Sequence, residues 1–433
     1  MRRPPPLGRR WRVRPPDRSH DPYAPLRSRD FRRFLTGRVA AVVGSQMFEV
    51  AVGWELYERT HLAIALGLVG LVQVIPIALL ALPAGELADR RDRRSISVAT
   101  LGVLVACSLA LAAISFTQAP VPLIYTVLFV IGVALAFYRP ATAALLPQLV
   151  PIEQFATAVT WSSTAWQLSS VVGPALGGAL IAYAHRAGPV YVVDAVLMSV
   201  FIGMLLRIEG RQAPPAPRER SARNLLAGLG FVWRDKVMLG AITLDLFAVL
   251  FGGATALLPL YAKDILHVGP AGFGWLRGAP AIGAVAMAFT LTHRRPLQNA
   301  GRTLLWAVAG FGVATIVFGF SRSYPLSLSM MIVAGGLDMI SVVIRHSLVQ
   351  VRTPDHMRGR VSAINGVFID TSNELGAFES GATAQLFGPV ASVAGGGAAT
   401  LLVVAVIARI WPALSRLGTL TEPPLQLSEE IST

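Results

Sequence analysis

Six carboxylates sit where water is scarce. Glu49, Asp245, Asp338, Asp370, Glu374 and Glu379 all fall inside long stretches otherwise dominated by Ala, Val, Leu, Ile and Gly. On insertion scales an acid at the middle of a membrane helix costs roughly 2.5–3.5 kcal/mol, and such residues are usually kept for a proton, an ion or a polar ligand. A carboxyl there can take up and release a proton as its surroundings alternate between dry and wet. The competing account for each is a structural acid, paired with Arg or satisfied by backbone. Gln46 stands about one turn before Glu49. Asp370 and Glu374 are one turn apart and share a helix face, whereas Glu379 points nearly opposite, so these three cannot serve one site. Arg139, Arg345 and Arg277 lie toward helix ends. They are candidate partners for acids or anions, with snorkelling the simpler account. Trp54 and Tyr57 suit an interfacial aromatic belt or a ligand pocket.

The elements that hold these residues follow from composition. The chain has 433 residues, 54% hydrophobic and only 14% charged, where a soluble domain carries about 25% charge. The apolar residues come in continuous runs such as Val98–Phe116, Val121–Leu135 and Ala398–Ile407. A hydrocarbon core about 30 Å thick needs roughly 20 apolar residues per helix. Only helices and closed barrels satisfy the backbone there, and these runs lack the alternation of barrel strands. The pattern predicts an all-α membrane protein with helices near 34–57, 62–88, 96–118, 121–147, 155–184, 189–208, 237–261, 272–292, 302–321, 325–350, 358–387 and 389–416.

Other classes are disfavoured. The net charge of +14 would suggest nucleic acid in a soluble protein, but the basic residues here sit between apolar runs. No phosphate-binding loop, zinc motif or Gly-x-Ser-x-Gly elbow occurs, and the seven histidines are scattered, so an enzyme is not expected. Cys107 is the single cysteine, which excludes an internal disulfide and a multi-cysteine metal site. No cofactor or metal is expected.

Loop charge sets an expected orientation. One side carries eleven arginines in residues 1–33, then Arg90, Arg91, Arg93 and Arg94, seven basic residues in 207–236, Arg294, Arg295, Arg302, Arg352, Arg358 and Arg360. The other side carries only Arg59, Arg186, Lys263 and Arg322. Both termini are therefore expected in the cytoplasm of a bacterium, with the chain crossing its inner membrane an even number of times. Residues 1–33 read as a disordered basic tail rather than a signal peptide, since they hold no apolar core. Residues 209–236, with Pro214, Pro215 and Pro217, read as a linker between two six-helix bundles at 34–208 and 237–416; residues 417–433 read as a tail. The halves echo each other at an offset of 203 residues: Pro151 onto Pro354, Gly173 onto Gly376, Gly178 onto Gly381. That spacing suggests two parallel repeats.

Two motifs carry a family resemblance. Gly85-Glu86-Leu87-Ala88-Asp89-Arg90-Arg91-Asp92-Arg93-Arg94 resembles the loop signature of the major facilitator superfamily, with Asp92 where a glycine is usual. Gly85 permits close helix packing, and Asp89 can cap a helix or pair with Arg. The resemblance implies that Asp89 holds the two halves together near Met357–Gly359, while Arg90, Arg93 and Arg94 of the same motif anchor the loop on the cytoplasmic side. Gly173-Pro174-Ala175-Leu176-Gly177-Gly178 resembles the antiporter motif of the same superfamily, while small residues at that spacing equally suit plain helix packing. Phe34–Gln73, Arg139–Val150, Leu244–Pro270 and Ile344–Gly381 look like the drug and siderophore exporter branch.

The resemblance implies a fold of twelve helices in two parallel six-helix repeats, with helices one, four, seven and ten lining a central cavity. Glu49, Asp245 and Asp338 are then the first candidates for proton or substrate binding, with Gln46 and Glu374 behind them and Arg139 and Arg345 as charge partners. The expected activity is proton-coupled export of amphipathic small molecules, such as drugs, macrolides or siderophores, by alternating access. The partners expected are that small molecule, protons and the bilayer, with no nucleic acid, for a chain acting as a monomer. Import of a small metabolite, or a receptor or scaffold role, are the alternatives.

Overall fold

The computed structural model describes residues 21–208, 229–294 and 298–419. Twelve long helices run through the described residues: α1 Arg29–Thr60, α2 Ala63–Arg90, α3 Arg93–Thr117, α4 Val121–Leu149, α5 Phe155–Ala184, α6 Gly188–Leu206, α7 Lys236–Phe251, α8 Gly269–Thr292, α9 Ala300–Phe320, α10 Tyr324–Arg352, α11 Asp355–Phe387 and α12 Pro389–Ile410. Among the described residues, ten spans are long and apolar enough to cross a membrane. The two helices outside that set, α8 and α11, make most of the contact between the second half and the first. Protein, not lipid, covers much of their surface, and so they tolerate Arg277, Glu374 and Glu379.

Local chemistry explains the boundaries. The Ser28 side chain caps α1 by accepting from Phe31 N, and Asp30 sits in the first turn, where the helix dipole favours an acid. Phe31 and Phe34 are fully buried. The first helix therefore begins five residues before the expected start at 34. The expected disordered tail is corrected on the same ground: residues 21–33 are ordered, and residues 1–20 lie outside the described residues. Prolines open α4, α6, α8, α10 and α12, where a missing N–H costs nothing. His61, Gln118 and His185 end α1, α3 and α5 in the left-handed region. Two of the scattered histidines thus do plain turn work.

α7 does not run straight. After Gly252 and Gly253 it passes through a 3₁₀ turn at Ala254–Leu257 and a π-turn at Tyr261–Ile265. A Cβ at Gly253 would sit 2.8 Å from Gly376 O, so only glycine lets this break press against α11.

The halves repeat each other in their contacts. α1 packs on α5 and α6, α2 on α4, and α3 on α4 and α6; α7 packs on α11 and α12, α8 on α10, and α9 on α10 and α12. The halves meet along α5–α8 and α2–α11. The offset glycines occupy equivalent places. Gly173 backs onto α1 as Gly376 backs onto α7, and Gly178 meets α8 as Gly381 meets α2. A Cβ at Gly178 would lie 2.9 Å from Gly274 Cα, and one at Gly381 would lie 2.8 Å from Gly67 Cα. Both seams are closed by backbone against backbone, the packing that small residues permit in a bilayer.

Candidate functional site

The two ends of the molecule differ chemically. One end, here the basic end, carries the start of α1, the α2–α3 loop and the start of α11; the other is the opposite end. α1 sorts its faces between its neighbours. Gly37 and Gly44 back onto α6, while Gln46 and Met47 meet Gly173 and Gly177 of α5. The remaining stripe, which includes Glu49 and Gly53, faces the second half.

On that stripe Glu49 accepts a hydrogen bond from Arg277 of α8 at 2.8 Å. The pair is half-exposed, with side chains 49% and 30% accessible. It joins the halves. Further toward the opposite end the junction continues. Trp54 stacks on Phe273, ring centroids 6.1 Å apart, and its indole donates to Glu58. Lys263 lies 3.9 Å from Glu58 and over the Trp54 ring. The Tyr57 hydroxyl donates to the Asp264 carboxylate. A Cβ at Gly53 would lie 3.2 Å from Pro259, and Ile64 N donates to Gln385 at 3.5 Å. Together these contacts latch the halves at the opposite end.

Two readings from sequence are corrected here. Arg277 does not snorkel; it crosses to Glu49. Trp54 and Tyr57 form no lipid belt, for both are buried in the latch.

Asp245 also proves to be paired. Arg345 of α10 forms an ion pair with it, and both side chains are almost fully buried, at 3% and 7% accessibility. Snorkelling is therefore wrong for Arg345 as well. The pair lies inside the second half, not between the halves. Beside it a cavity of about 20 Å³ is lined by Asp245, Ala248, Phe311, Leu337, Asp338 and Ser341. Asp338 lines this cavity, and the buried Ser341 hydroxyl has no partner among the described residues. The structure thus brings Asp245, Asp338 and Arg345 together and places Glu49 apart from them.

The remaining predicted residues fall into packing roles. Gln46 donates to Ser170 at 3.2 Å and covers Gly173. Gly173 and Gly177 face α1, and Pro174 and Gly178 face Gly274 of α8, so the glycine motif is a two-sided packing surface. Glu374 lies at the α2–α11 seam against Gly70. Gly85 is buried. Arg93 donates to Ala144 O at 3.1 Å and Arg94 to Ile208 O at 2.9 Å. These arginines cap the ends of α4 and α6, as cations at helix C-termini do. Arg139 is exposed. The side chains of Asp89, Arg90 and Asp370 lie outside the described residues.

Sequence reading missed two acids. Asp194 of α6 is fully buried. It accepts from Ser108 at 2.6 Å, and its second oxygen has no partner among the described residues. Glu55 is buried too, accepting from Tyr191 at 2.9 Å and pairing with Arg59 at 3.2 Å. Asp194 stood inside the apolar run of α6 and was open to the same argument as Asp245.

This arrangement, two six-helix repeats meeting along glycine-lined seams with charged residues between them, is that of a transporter of the major facilitator type. The solved structures agree on the fold. A POT family transporter in complex with 5-aminolevulinic acid matches at TM-score 0.69 with 11% identity, over 89% of this chain and 97% of its own. A bacterial homologue of the lysosomal transporter Spinster, in an inward-facing conformation, matches at 0.68 with 16% identity, over 90% and 97%. The chain belongs to the family of transmembrane secretion effectors, whose pattern matches residues 20–425. Its relatives include the multidrug efflux pump Tap of Mycolicibacterium fortuitum, 27% identical over 90% of this chain and 97% of that protein. The enterobactin exporter EntS of Citrobacter koseri is 25% identical over 91% and 94%. The chain is a multi-pass membrane transporter.

Proposed function

We propose that this transporter is a proton-coupled exporter of amphipathic small molecules in the inner membrane, with its basic end and both termini in the cytoplasm. The observation that carries the reading is the Glu49–Arg277 pair across the two halves. In the conformation latched at the opposite end, an ionised Glu49 holds Arg277. Opening the opposite end requires that pair to part. Parting the pair leaves each partner without its counter-charge, which a proton or a substrate group at Glu49 then replaces. A substrate group that draws Glu49 or Arg277 away, loaded from the cytoplasm, lets the latch open. After release outside, a proton on Glu49 allows the halves to close without the pair, and loss of that proton to the cytoplasm restores it. Substrate and proton then alternate at one residue, which is the logic of antiport. That Tap is a multidrug efflux pump and EntS an enterobactin exporter supports export of a small molecule.

The test is accumulation of the dye Hoechst 33342 in cells stripped of their own pumps. Cells expressing the protein should accumulate less dye, and a protonophore should abolish the difference. Equal accumulation with and without the protein would count against export. A difference that survives the protonophore would count against proton drive.

A further inference from the structure

The cytoplasmic end of the α5–α8 seam holds a second feature. Thr160, Thr164, Val171, Pro174 and Gly178 follow one another at spacings of three, four or seven residues, so they form one stripe along α5. The upper part of that stripe meets α8: Val171 O lies 3.0 Å from where Gly278 would place a Cβ, and Pro174 and Gly178 touch Gly274. The lower part does not. There the stripe lines a groove of about 510 Å³, formed by Ala156, Thr157, Thr160, Trp161 and Thr164. The chain's own N-terminal segment roofs it with Pro22 and Tyr23.

The roof is fastened. The Trp161 indole donates to Pro22 O at 2.9 Å, and the Tyr23 and Trp161 rings lie 6.0 Å apart. Farther along, Ser28 donates to Leu149 O at 3.4 Å. Yet Tyr23 is 60% exposed, so the aromatic pair is open to a visitor.

We propose that this groove is a loading site for the transported compound, and that it takes flat aromatic molecules with hydrogen-bonding substituents before they enter the space between the halves. The proposal rests on the exporter reading. Three observations favour that cargo. The volume lies within the roughly 300–1,000 Å³ range of drug-sized pockets. The lining offers an aromatic pair for stacking and three threonine hydroxyls for polar substituents. Among the described residues it contains no Leu, Ile, Val or Met, the surface an acyl chain would need. The groove also continues the seam face itself, so a molecule bound there sits where separating halves would admit it.

The experiment uses the full chain with Cys107→Ser, which removes its single thiol. Thr160→Cys and Thr164→Cys report on the groove, and Val159→Cys on the other side of α5 serves as control. Each is alkylated with N-ethylmaleimide in nanodiscs, with and without Hoechst 33342. Dye should slow labelling at positions 160 and 164 and leave position 159 unchanged. Adding Trp161→Ala should raise the dye concentration needed for protection about tenfold. Unprotected thiols in a chain that still exports the dye would overturn the groove and leave the exporter reading intact. A chain that neither exports nor binds the dye would bring both down. Labelling that is slow in lipid, fast in detergent and indifferent to dye would assign the groove to a lipid and refute the proposal. Labelling made fast by deletion of residues 1–20, again indifferent to dye, would assign it to the N-terminus and refute it equally.

Discussion

Asp245→Asn separates a structural acid from a coupling one. Its partner Arg345 is 3% accessible, so the substitution leaves a guanidinium buried without a counter-charge. Two routes give the size of the effect. Removing one member of a buried ion pair costs about 3–5 kcal/mol. A lone Arg at the centre of a membrane helix costs about 2.5–3.5 kcal/mol on insertion scales. They agree near 3 kcal/mol, a change of about a hundredfold in the ratio of folded to unfolded protein. Replacing both members removes the stranded charge, and such double exchanges of buried pairs are often close to neutral. Purified Asp245→Asn should therefore lose its monodisperse peak at clearly lower temperature than wild type. Asp245→Leu with Arg345→Met should regain most of the loss and still transport. The assay is the surviving monomer peak after stepwise heating. An Asp245→Asn protein of wild-type stability that transports downhill but not against a gradient would refute this reasoning and make Asp245 a coupling residue.

Further outcomes follow from the seams, the latch and the loops. Gly381→Val should cut transport at least about tenfold while the protein stays in the membrane, because the added carbons would meet Gly67 backbone that cannot yield; near-normal transport would argue against a closed α2–α11 seam. Tyr57→Phe removes the hydroxyl bonded to Asp264 and should shift the protein away from the latched state. A thiol introduced at position 53 should then be alkylated about tenfold faster or more, the response expected for one hydrogen bond to a charged group, about 1.5–3 kcal/mol. Reporter fusions at Arg220 and at the C-terminus should both read cytoplasmic, and a periplasmic reading from either would undo the orientation.

Much of the architecture was legible because the bilayer imposes one rule on every backbone. Each of the twelve expected helices has a counterpart, although the one expected at 237–261 breaks after Phe251, and the 203-residue echo identified glycines that now occupy matching seams. Boundaries failed where capping rather than hydropathy decides, as at Ser28 and Arg29. The charged residues were legible as exceptions but not as pairs. Glu49 and Arg277 are 228 residues apart, and nothing local in the chain declares that they meet. Asp245 and Arg345 likewise looked like separate oddities, because each becomes affordable only beside the other. Trp54 and Tyr57 were misread because an aromatic at a helix end fits a lipid interface and a protein seam equally well. Asp194 escaped notice although its run is as apolar as that of Asp245.

Glu49 is the residue at which substrate and proton alternate in the proposed cycle. Wild-type and Glu49→Gln protein should be reconstituted in proteoliposomes and assayed for Hoechst 33342 in two modes, exchange without a gradient and accumulation driven by an imposed pH gradient. Glutamine keeps the shape of the acid but carries no titratable proton, and the half-exposed pair contributes only about 0–1 kcal/mol to stability, so the fold should survive. The account predicts that exchange persists while gradient-driven accumulation is lost. Full gradient-driven accumulation by Glu49→Gln would contradict it.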